Sequence, residues 1–216
     1  MAELRIHELY RSIQGESTRA GWPCTFVRTA GCDLRCVWCD EPEALVADGG
    51  QRLSIAEILE RVAALGTRLV EITGGEPLLQ RAAPELVARL LDAGHEVLVE
   101  TGGHRDISVL DPRCCVILDV KPPASGMLAR NDPENLKRLH SGDEVKYVIA
   151  DRDDYVWARD HVREHALESR FAVHLSPVHG ALAPTRLVAW LLADGLGVRT
   201  NLQLHKYVWG EGAKSV

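Results

Sequence analysis

Short apolar runs alternate along the chain with segments whose apolar residues recur at helical spacing. The apolar runs predict strands, at residues 4–10, 22–29, 68–72, 96–100, 115–119, 144–150, 171–175 and 198–204. Helical spacing and capping signals predict helices, between Ser54 and Gly66 and at residues 84–93, 133–139, 151–165 and 184–193. Segment 40–50 predicts a loop. Regular strand–helix alternation indicates crossover connections and a parallel sheet.

This pattern predicts an α/β fold with a single domain over residues 1–216. About six strands follow residue 50 in the parallel part, too few for a closed eight-strand barrel. An open, partial parallel β/α barrel fits the count better. Ligands of such sheets bind at the carboxyl ends of the strands, where this sequence places loops rich in Gly, Pro, Lys, His and Thr.

Composition narrows the function classes. The chain is 46% hydrophobic and has 25 Lys+Arg against 31 Asp+Glu, which gives a net charge of −6. That balance argues against a broad nucleic-acid-binding surface. No apolar run approaches the ~20 residues that span a bilayer. The segment Met1–Arg5 lacks the features of a signal peptide, so we expect no membrane association and a cytoplasmic protein with reduced thiols.

Three cysteines dominate the candidate chemistry. Cys32, Cys36 and Cys39 stand on one short segment directly after the strand at 22–29. Three thiolates at this spacing can hold three irons of a 4Fe–4S cluster and leave the fourth iron open. Structural zinc usually takes four ligands in two separated pairs, and no second pair exists here. Cys24 lies on a strand and is expected in the core.

The segment Cys32–Cys39 has the pattern CxxxCxΦC, with Trp38 as the aromatic residue, and resembles the radical S-adenosylmethionine (SAM) enzymes. A second segment, Thr73-Gly74-Gly75-Glu76-Pro77, follows a strand and is similar to the SAM-binding motif of that superfamily. Further segments together resemble the 7-carboxy-7-deazaguanine synthase family over about residues 5–209; they are Ser12–Glu16, Asp119–Pro123, Ser176–Gly180 and Gln203–Lys206.

The resemblance implies a lyase that converts 6-carboxy-5,6,7,8-tetrahydropterin to 7-carboxy-7-deazaguanine with loss of ammonia, a step in queuosine and other deazapurine synthesis. It implies a 4Fe–4S cluster, SAM that is reused as a cofactor, and a magnesium ion near the substrate carboxylate. It also implies a homodimer and an electron donor of the flavodoxin or ferredoxin type.

Site residues carried over from the resemblance fall into three groups. Those of the cluster are Cys32, Cys36 and Cys39. Those expected to contact SAM are Trp38, Gly74, Gly75, Glu76, Thr101, Asp119, Val120, Lys121, Ser176, Pro177, Val178 and His179. Those expected to contact the pterin are Ile13, Gln14, Gly15, Glu16, Arg28 and Thr73. A guanidinium at Arg28 suits the substrate carboxylate, although a solvated strand end is the alternative interpretation.

One position departs from the family pattern. Two residues after the last cysteine the family commonly has a hydroxyl residue that contacts magnesium, and here Glu41 stands there. A carboxylate is a suitable ligand for a hard cation, but it adds negative charge opposite the substrate carboxylate. Either the metal is held differently, or another metal is used, or no ion binds and Glu41 is a loop residue. Two functional alternatives also stay open: a radical SAM activase acting on a partner protein, and a zinc-stabilised binding module.

Overall fold

The structure is a computed structural model that describes residues 2–210 and 212–214. Its strands form one sheet in the order β3-β1-β2-β4-β5-β6-β7-β8-β9. The strands are β1 Glu3–Ile13, β2 Pro23–Thr29, β3 Gln51–Ser54, β4 Leu69–Gly74, β5 Glu96–Thr101, β6 Cys115–Asp119, β7 Glu144–Ile149, β8 Ala172–Pro177 and β9 Arg199–Thr200.

From β2 through β9 every neighbouring pair is parallel, whereas β1 pairs antiparallel with both β2 and β3. The parallel part has six strands of five or more residues, followed by the two-residue β9. The sheet order ends at β3 on one side and at β9 on the other, so the barrel is open. The prediction of a partial parallel β/α barrel is confirmed.

The helices agree with the sequence prediction except at the carboxyl terminus. They are α1 Ile55–Leu65, α2 Ala83–Asp92, α3 Asn135–Arg138, α4 Arg152–Glu164, α5 Pro184–Asp194 and α6 Leu204–Trp209. The predicted capping box is present, since Ser54 accepts from the Glu57 amide and Glu57 accepts from the Ser54 amide. Gly66 ends α1 in the left-handed conformation. No helix in the described part of the chain is long and apolar enough to cross a membrane.

One edge strand was missed and the other was predicted too long. Residues 51–54 form the edge strand β3, which pairs with β1 in the register Leu4↔Leu53. Of the predicted strand at 198–204, only the two residues of β9 are strand, although the amide of Asn201 still donates to the carbonyl of Leu175. Residues 204–209 form α6 instead, where the amide of Leu204 donates to the carbonyl of Gly15.

Successive side chains of a strand point to opposite faces of the sheet, one packed against the helices and the other lining the inside of the barrel. On β7, the buried residues Val145, Tyr147 and Ile149 join the hydrophobic core that includes residues of α1, α2, α4 and α5. The residues between them, Lys146 and Val148, line the concave inside of the sheet. Cys24 is buried in a second, smaller apolar cluster with Leu69 and Leu98, as expected. The inside of the open barrel is therefore where polar chemistry is concentrated.

Candidate active site

A cavity of about 480 Å³ opens at the carboxyl ends of the parallel strands. Of the residues proposed for the cluster, SAM, pterin and metal, the structure places all but Val120 around it. Val120 is buried in the hydrophobic core, and its amide donates to the carbonyl of Lys146. This one cavity thus collects segments that are far apart in the sequence, such as Glu16 and Ser176, which are separated by 160 residues.

The three cysteines of the motif lie on a loop at the mouth of the cavity, residues 32–39, which we call the cluster loop. All three thiols are free and half-buried, whereas Cys24, Cys114 and Cys115 are buried. Burial raises the pKa of Cys32, Cys36 and Cys39, so a metal has to displace a proton from each sulfur. Three accessible sulfurs on one loop, beside room for a ligand, fit a 4Fe–4S cluster with one open iron.

Asp33 anchors the cluster loop. Its carboxylate contacts His104 at 2.6 Å, Arg105 at 2.6 Å and Arg130 at 2.9 Å. Burial acts to raise the pKa of Asp33, but the bonds from His104 and Arg105 outweigh it and hold that pKa at about 2. A second attachment runs from the Val37 amide to the Ser125 carbonyl, at 3.1 Å. The loop is therefore fixed to the segments that follow β5 and β6.

The segment after β4 approaches the cluster loop so closely that its glycines are required. A Cβ on Gly75 would overlap the carbonyl of Gly31. Glu76 is fully buried and accepts from Thr101 Oγ1 at 2.8 Å, the Gly102 amide at 2.8 Å and the Leu78 amide at 3.0 Å. In the structure this carboxylate joins the ends of β4 and β5, and its predicted contact with SAM stays a prediction.

The ends of β6 and β8 complete this side of the cavity. Lys121 Nζ lies 2.8 Å from Asp119 Oδ2, and the attraction of Asp119 and the neighbouring Cys36 raises the pKa of Lys121 although burial opposes it. Asp119 Oδ1 is buried and has no hydrogen-bond partner within residues 2–210 and 212–214, which leaves an acceptor for a ligand. Ser176 Oγ lies 3.5 Å from Glu16 Oε1.

Gln14 and Gly15 are held from two sides. Gln14 Nε2 donates to Glu71, and Gln14 Oε1 accepts from the Glu16 amide at 3.2 Å. The side chain of Gln14 therefore holds its segment against Glu71, and its contact with a pterin stays a prediction. Gly15 packs so tightly on His205 of α6 that a Cβ would overlap Nδ1 of the imidazole.

Comparison with known proteins agrees with this arrangement. The family model described as Radical SAM superfamily matches residues 26–114. A 7-carboxy-7-deazaguanine synthase of Chlorobaculum tepidum is 42% identical and the alignment covers 100% of this chain and 98% of that protein. The synthase of Koribacter versatilis is also 42% identical, over 99% of this chain and 100% of that protein.

The chain belongs to the 7-carboxy-7-deazaguanine synthase family. It is a radical SAM enzyme, and its cofactors are a 4Fe–4S cluster and SAM. The fold is also that of a crystal structure of QueE from Escherichia coli, with a TM-score of 0.74, 22% identity, and coverage of 93% of this chain and 94% of that one.

The polar floor of the synthase cavity was not predicted from the sequence. Lys146 Nζ lies 3.0 Å from Glu16 Oε2 and 2.8 Å from Glu100 Oε1, and Glu71 is buried nearby. Burial and the neighbouring Glu100 raise the pKa of Glu71 to about 8. The attraction of Lys146 lowers the pKa of Glu100 although burial opposes it. Three carboxyl groups thus surround one ammonium.

Arg28 is only partly available to a substrate. Its guanidinium donates to Tyr10 Oη at 3.2 Å and lies 3.5 Å from Glu41 and 3.7 Å from Glu8. Arg28 Nε is buried and makes no hydrogen bond within the described ranges, so it can still donate to a bound carboxylate.

Glu41 is balanced by two cations, Arg28 and Lys214, the latter at 3.4 Å from the tail that follows α6. Magnesium prefers six oxygen ligands in an octahedron. In the part of the chain that the structure describes, no three His, Cys, Asp or Glu side chains converge where they could share a metal ion. Magnesium usually keeps several waters and takes only one or two carboxylates from a protein, so Glu41 as a magnesium ligand stays a prediction, and we derive no step through that ion.

Proposed function

We propose that this chain converts 6-carboxy-5,6,7,8-tetrahydropterin to 7-carboxy-7-deazaguanine and ammonia. The substrate loses one nitrogen and three hydrogens as ammonia, so the reaction needs no net oxidant. The observation that carries the proposal is the meeting of the three-cysteine loop and the Ile13–Glu16 segment at one cavity. The full-length similarity to synthases of this name supports it.

We assign Cys32, Cys36 and Cys39 to the cluster. When bound, the cluster and SAM supply a 5′-deoxyadenosyl radical that takes a hydrogen atom from the pterin. The other cofactor residues line the cavity: Trp38 would contact the adenine, and Gly74 and Gly75 would let the backbone approach SAM. The remaining proposed SAM contacts are Glu76, Thr101, Asp119, Lys121, Ser176, Pro177, Val178 and His179.

The pterin is proposed to bind between β1 and the barrel floor, which is formed by Glu71, Glu100 and Lys146. Glu16 presents a carboxylate whose Oε2 is held by Lys146 and whose Oε1 is near Ser176. A carboxylate is a good acceptor for the paired N–H groups of a pterin's amino and amide edge. Arg28 Nε suits the substrate carboxylate. Ile13, Gly15 and Thr73 complete this part of the lining, while Gln14 supports the segment through Glu71.

Wider partnerships are proposals from the family resemblance. We propose that the described residues act as a single domain, since all their strands join one sheet. We also propose a cytoplasmic homodimer that receives electrons from a flavodoxin or ferredoxin.

An anaerobic assay tests the function. Iron-replete protein, SAM, dithionite and 6-carboxytetrahydropterin are mixed, and mass spectrometry follows the pterin. We expect the pterin to lose the mass of ammonia while SAM is recovered. Cleavage of SAM with an unchanged pterin would refute the synthase and direct attention to a partner-protein activase. Colourless protein that contains zinc and no iron would refute the radical chemistry.

A further inference from the structure

The tip of the cluster loop exposes an apolar side chain beside the cluster ligands. Val37, between Cys36 and Trp38, is 76% exposed. Leu128, on the segment that carries this loop, is 38% exposed. The two segments are joined by the Arg35 amide, which lies 3.3 Å from Met127 Sδ, and by the bond from Val37 to Ser125. Val37 and Leu128 are thus exposed on two joined segments beside the cluster ligands, and we call them the apolar patch.

Three arginines border this patch. Arg35 is exposed, and Arg105 and Arg130 are exposed by 41% and 48% while they share the carboxylate of Asp33. Three guanidinium groups and one carboxylate leave an excess of positive charge. The whole chain has a net charge of −6, so this patch differs in sign from the molecule as a whole.

The other flank of the cluster loop has the opposite character. The segment after Cys39 packs beside β2, since the Gly31 amide donates to the Ala44 carbonyl. Its charged residues are acidic, and they include Glu43 and Asp48. Part of this acidic charge is paired, as Asp48 is with Arg5 and Glu41 with Lys214, so the unbalanced positive charge lies on the side of Arg35, Arg105 and Arg130.

Resting on the function proposed above, we infer that Val37, Leu128, Arg35, Arg105 and Arg130 form the docking surface for an acidic one-electron carrier protein. The carrier would give up one electron, and the cluster that Cys32, Cys36 and Cys39 would hold takes up that electron. Positive charge around a small apolar centre attracts an acidic partner and orients it over the cluster. The Arg89 end of α2 lies at the opposite, amino-terminal end of the strands, because α2 runs back to the start of β5.

Reduction of the cluster tests the surface more directly than turnover does, because recovery of SAM returns the electron. Stopped-flow absorption measures the second-order rate at which reduced flavodoxin reduces the iron-replete enzyme. For Arg35→Gln/Arg130→Gln we expect a rate at low salt about tenfold or more below wild type. We also expect a weaker dependence on ionic strength, because fewer charges remain to be screened. Arg89→Gln is the matched control and should behave as wild type.

A second pair of variants separates the two flanks. Val37→Asp should weaken flavodoxin binding, measured by calorimetry, and slow cluster reduction. Val46→Asp places the same charge at a valine that is 57% exposed within the acidic flank, and it should change neither quantity. Equal behaviour of the two variants, or a larger effect of Val46→Asp, would overturn the assignment.

Dithionite separates this inference from the proposed function. It reduces the cluster without docking, so flavodoxin rates are compared only for variants whose iron content and dithionite-driven reduction match those of wild type. If dithionite-driven ring contraction fails in the wild type, the proposed function fails, while the docking measurements still stand. If Arg35→Gln reduces the iron content, Arg130→Gln alone provides the test, since Asp33 keeps His104 and Arg105. Unchanged flavodoxin kinetics in an iron-replete arginine variant would refute the surface.

Discussion

Replacement of Lys146 by methionine should expose the electrostatic cost of the barrel floor. The ammonium lies 2.8 Å from Glu100 and 3.0 Å from Glu16, and only 8% of its side chain is exposed. Methionine keeps the length of the side chain and removes its charge. The carboxyl groups of Glu16, Glu71 and Glu100 then share a buried site without a neighbouring ammonium.

Two estimates of the loss in free energy of unfolding agree. Removal of one partner from a buried ion pair typically costs about 3–5 kcal/mol. Alternatively, Glu100 takes up a proton: bringing a carboxyl group of ordinary pKa 4.5 to its neutral form at pH 7 costs about 3.4 kcal/mol, at 1.36 kcal/mol per unit. The side chains of Glu16 and Glu100 are 16% and 22% exposed, so water offsets part of the loss. We expect Lys146→Met to lower the free energy of unfolding by about 3 kcal/mol at pH 7.

The pH dependence has a definite sign. In the wild type, Lys146 lowers the pKa of Glu100, which adds stability above the unfolded pKa and loses it as the pH falls. In Lys146→Met the pKa of Glu100 is raised, so the variant loses stability as the pH rises. The difference between the two proteins should therefore be small near pH 4.5 and largest near neutral pH.

Urea unfolding of the cluster-free chain under reducing conditions measures this difference. A loss of 3 kcal/mol corresponds to roughly 6–12 °C in Tm for a chain of this size. Lys137→Met is the control: Lys137 is 73% exposed, pairs with Glu134 at 2.6 Å, and should be close to neutral. The additional change Glu100→Gln should recover part of the loss. A deficit below about 1 kcal/mol at pH 7, or one that does not vary with pH, would refute the reasoning.

Three further predictions concern single positions. Glu71→Gln should remove a pH-dependent component of stability: the raised pKa of about 8 means that the wild type loses stability from about pH 4.5 to 8, by up to about 1.4 kcal/mol per pH unit. Unfolding curves at pH 5 and pH 8 measure it, and equal slopes for both proteins would contradict it. Gly15→Ala should displace His205 and raise the KM for the pterin severalfold, while iron content stays unchanged; an unaltered KM would show that α6 yields freely. Asp33→Asn should loosen the cluster loop and lower iron retention during gel filtration, whereas Asp92→Asn should not, and equal retention would show that the loop is held elsewhere.

The parallel strands were predictable because the signal for each strand is local. β6 at Cys115–Asp119 has the predicted bounds, since an uninterrupted apolar run ends at a polar residue. β3 was missed because its pairing partner, β1, is some 48 residues away and its own residues are mainly polar. α6 contains the β-prone residues Tyr207, Val208 and Trp209, but the contact between Leu204 and Gly15 overrides that propensity.

The residues of the site, too, were predicted only where the sequence carries a local signal. Motif residues such as Cys36 and Gly75 were found because their spacing is visible in the sequence. Glu71, Glu100 and Lys146 were missed because each stands inside a strand, where a charged residue is ordinarily assigned to solvent. The alternation along β7 was a usable signal. Val145, Tyr147 and Ile149 face the hydrophobic core, so Lys146 between them has to face the inside of the barrel.

The buried charges link folding to recognition through Glu16. One oxygen of this carboxylate is fixed by Lys146, which also binds Glu100 on β5, and the other faces Ser176 on β8. Burial raises the pKa of Glu16, and the attraction of Lys146 opposes that rise. An ionised Glu16 is the form that accepts N–H groups from a pterin, so the ammonium that stabilises the floor also keeps the proposed substrate ligand ready to bind. The barrel floor is therefore part of the proposed pterin site, although no sequence motif marks it.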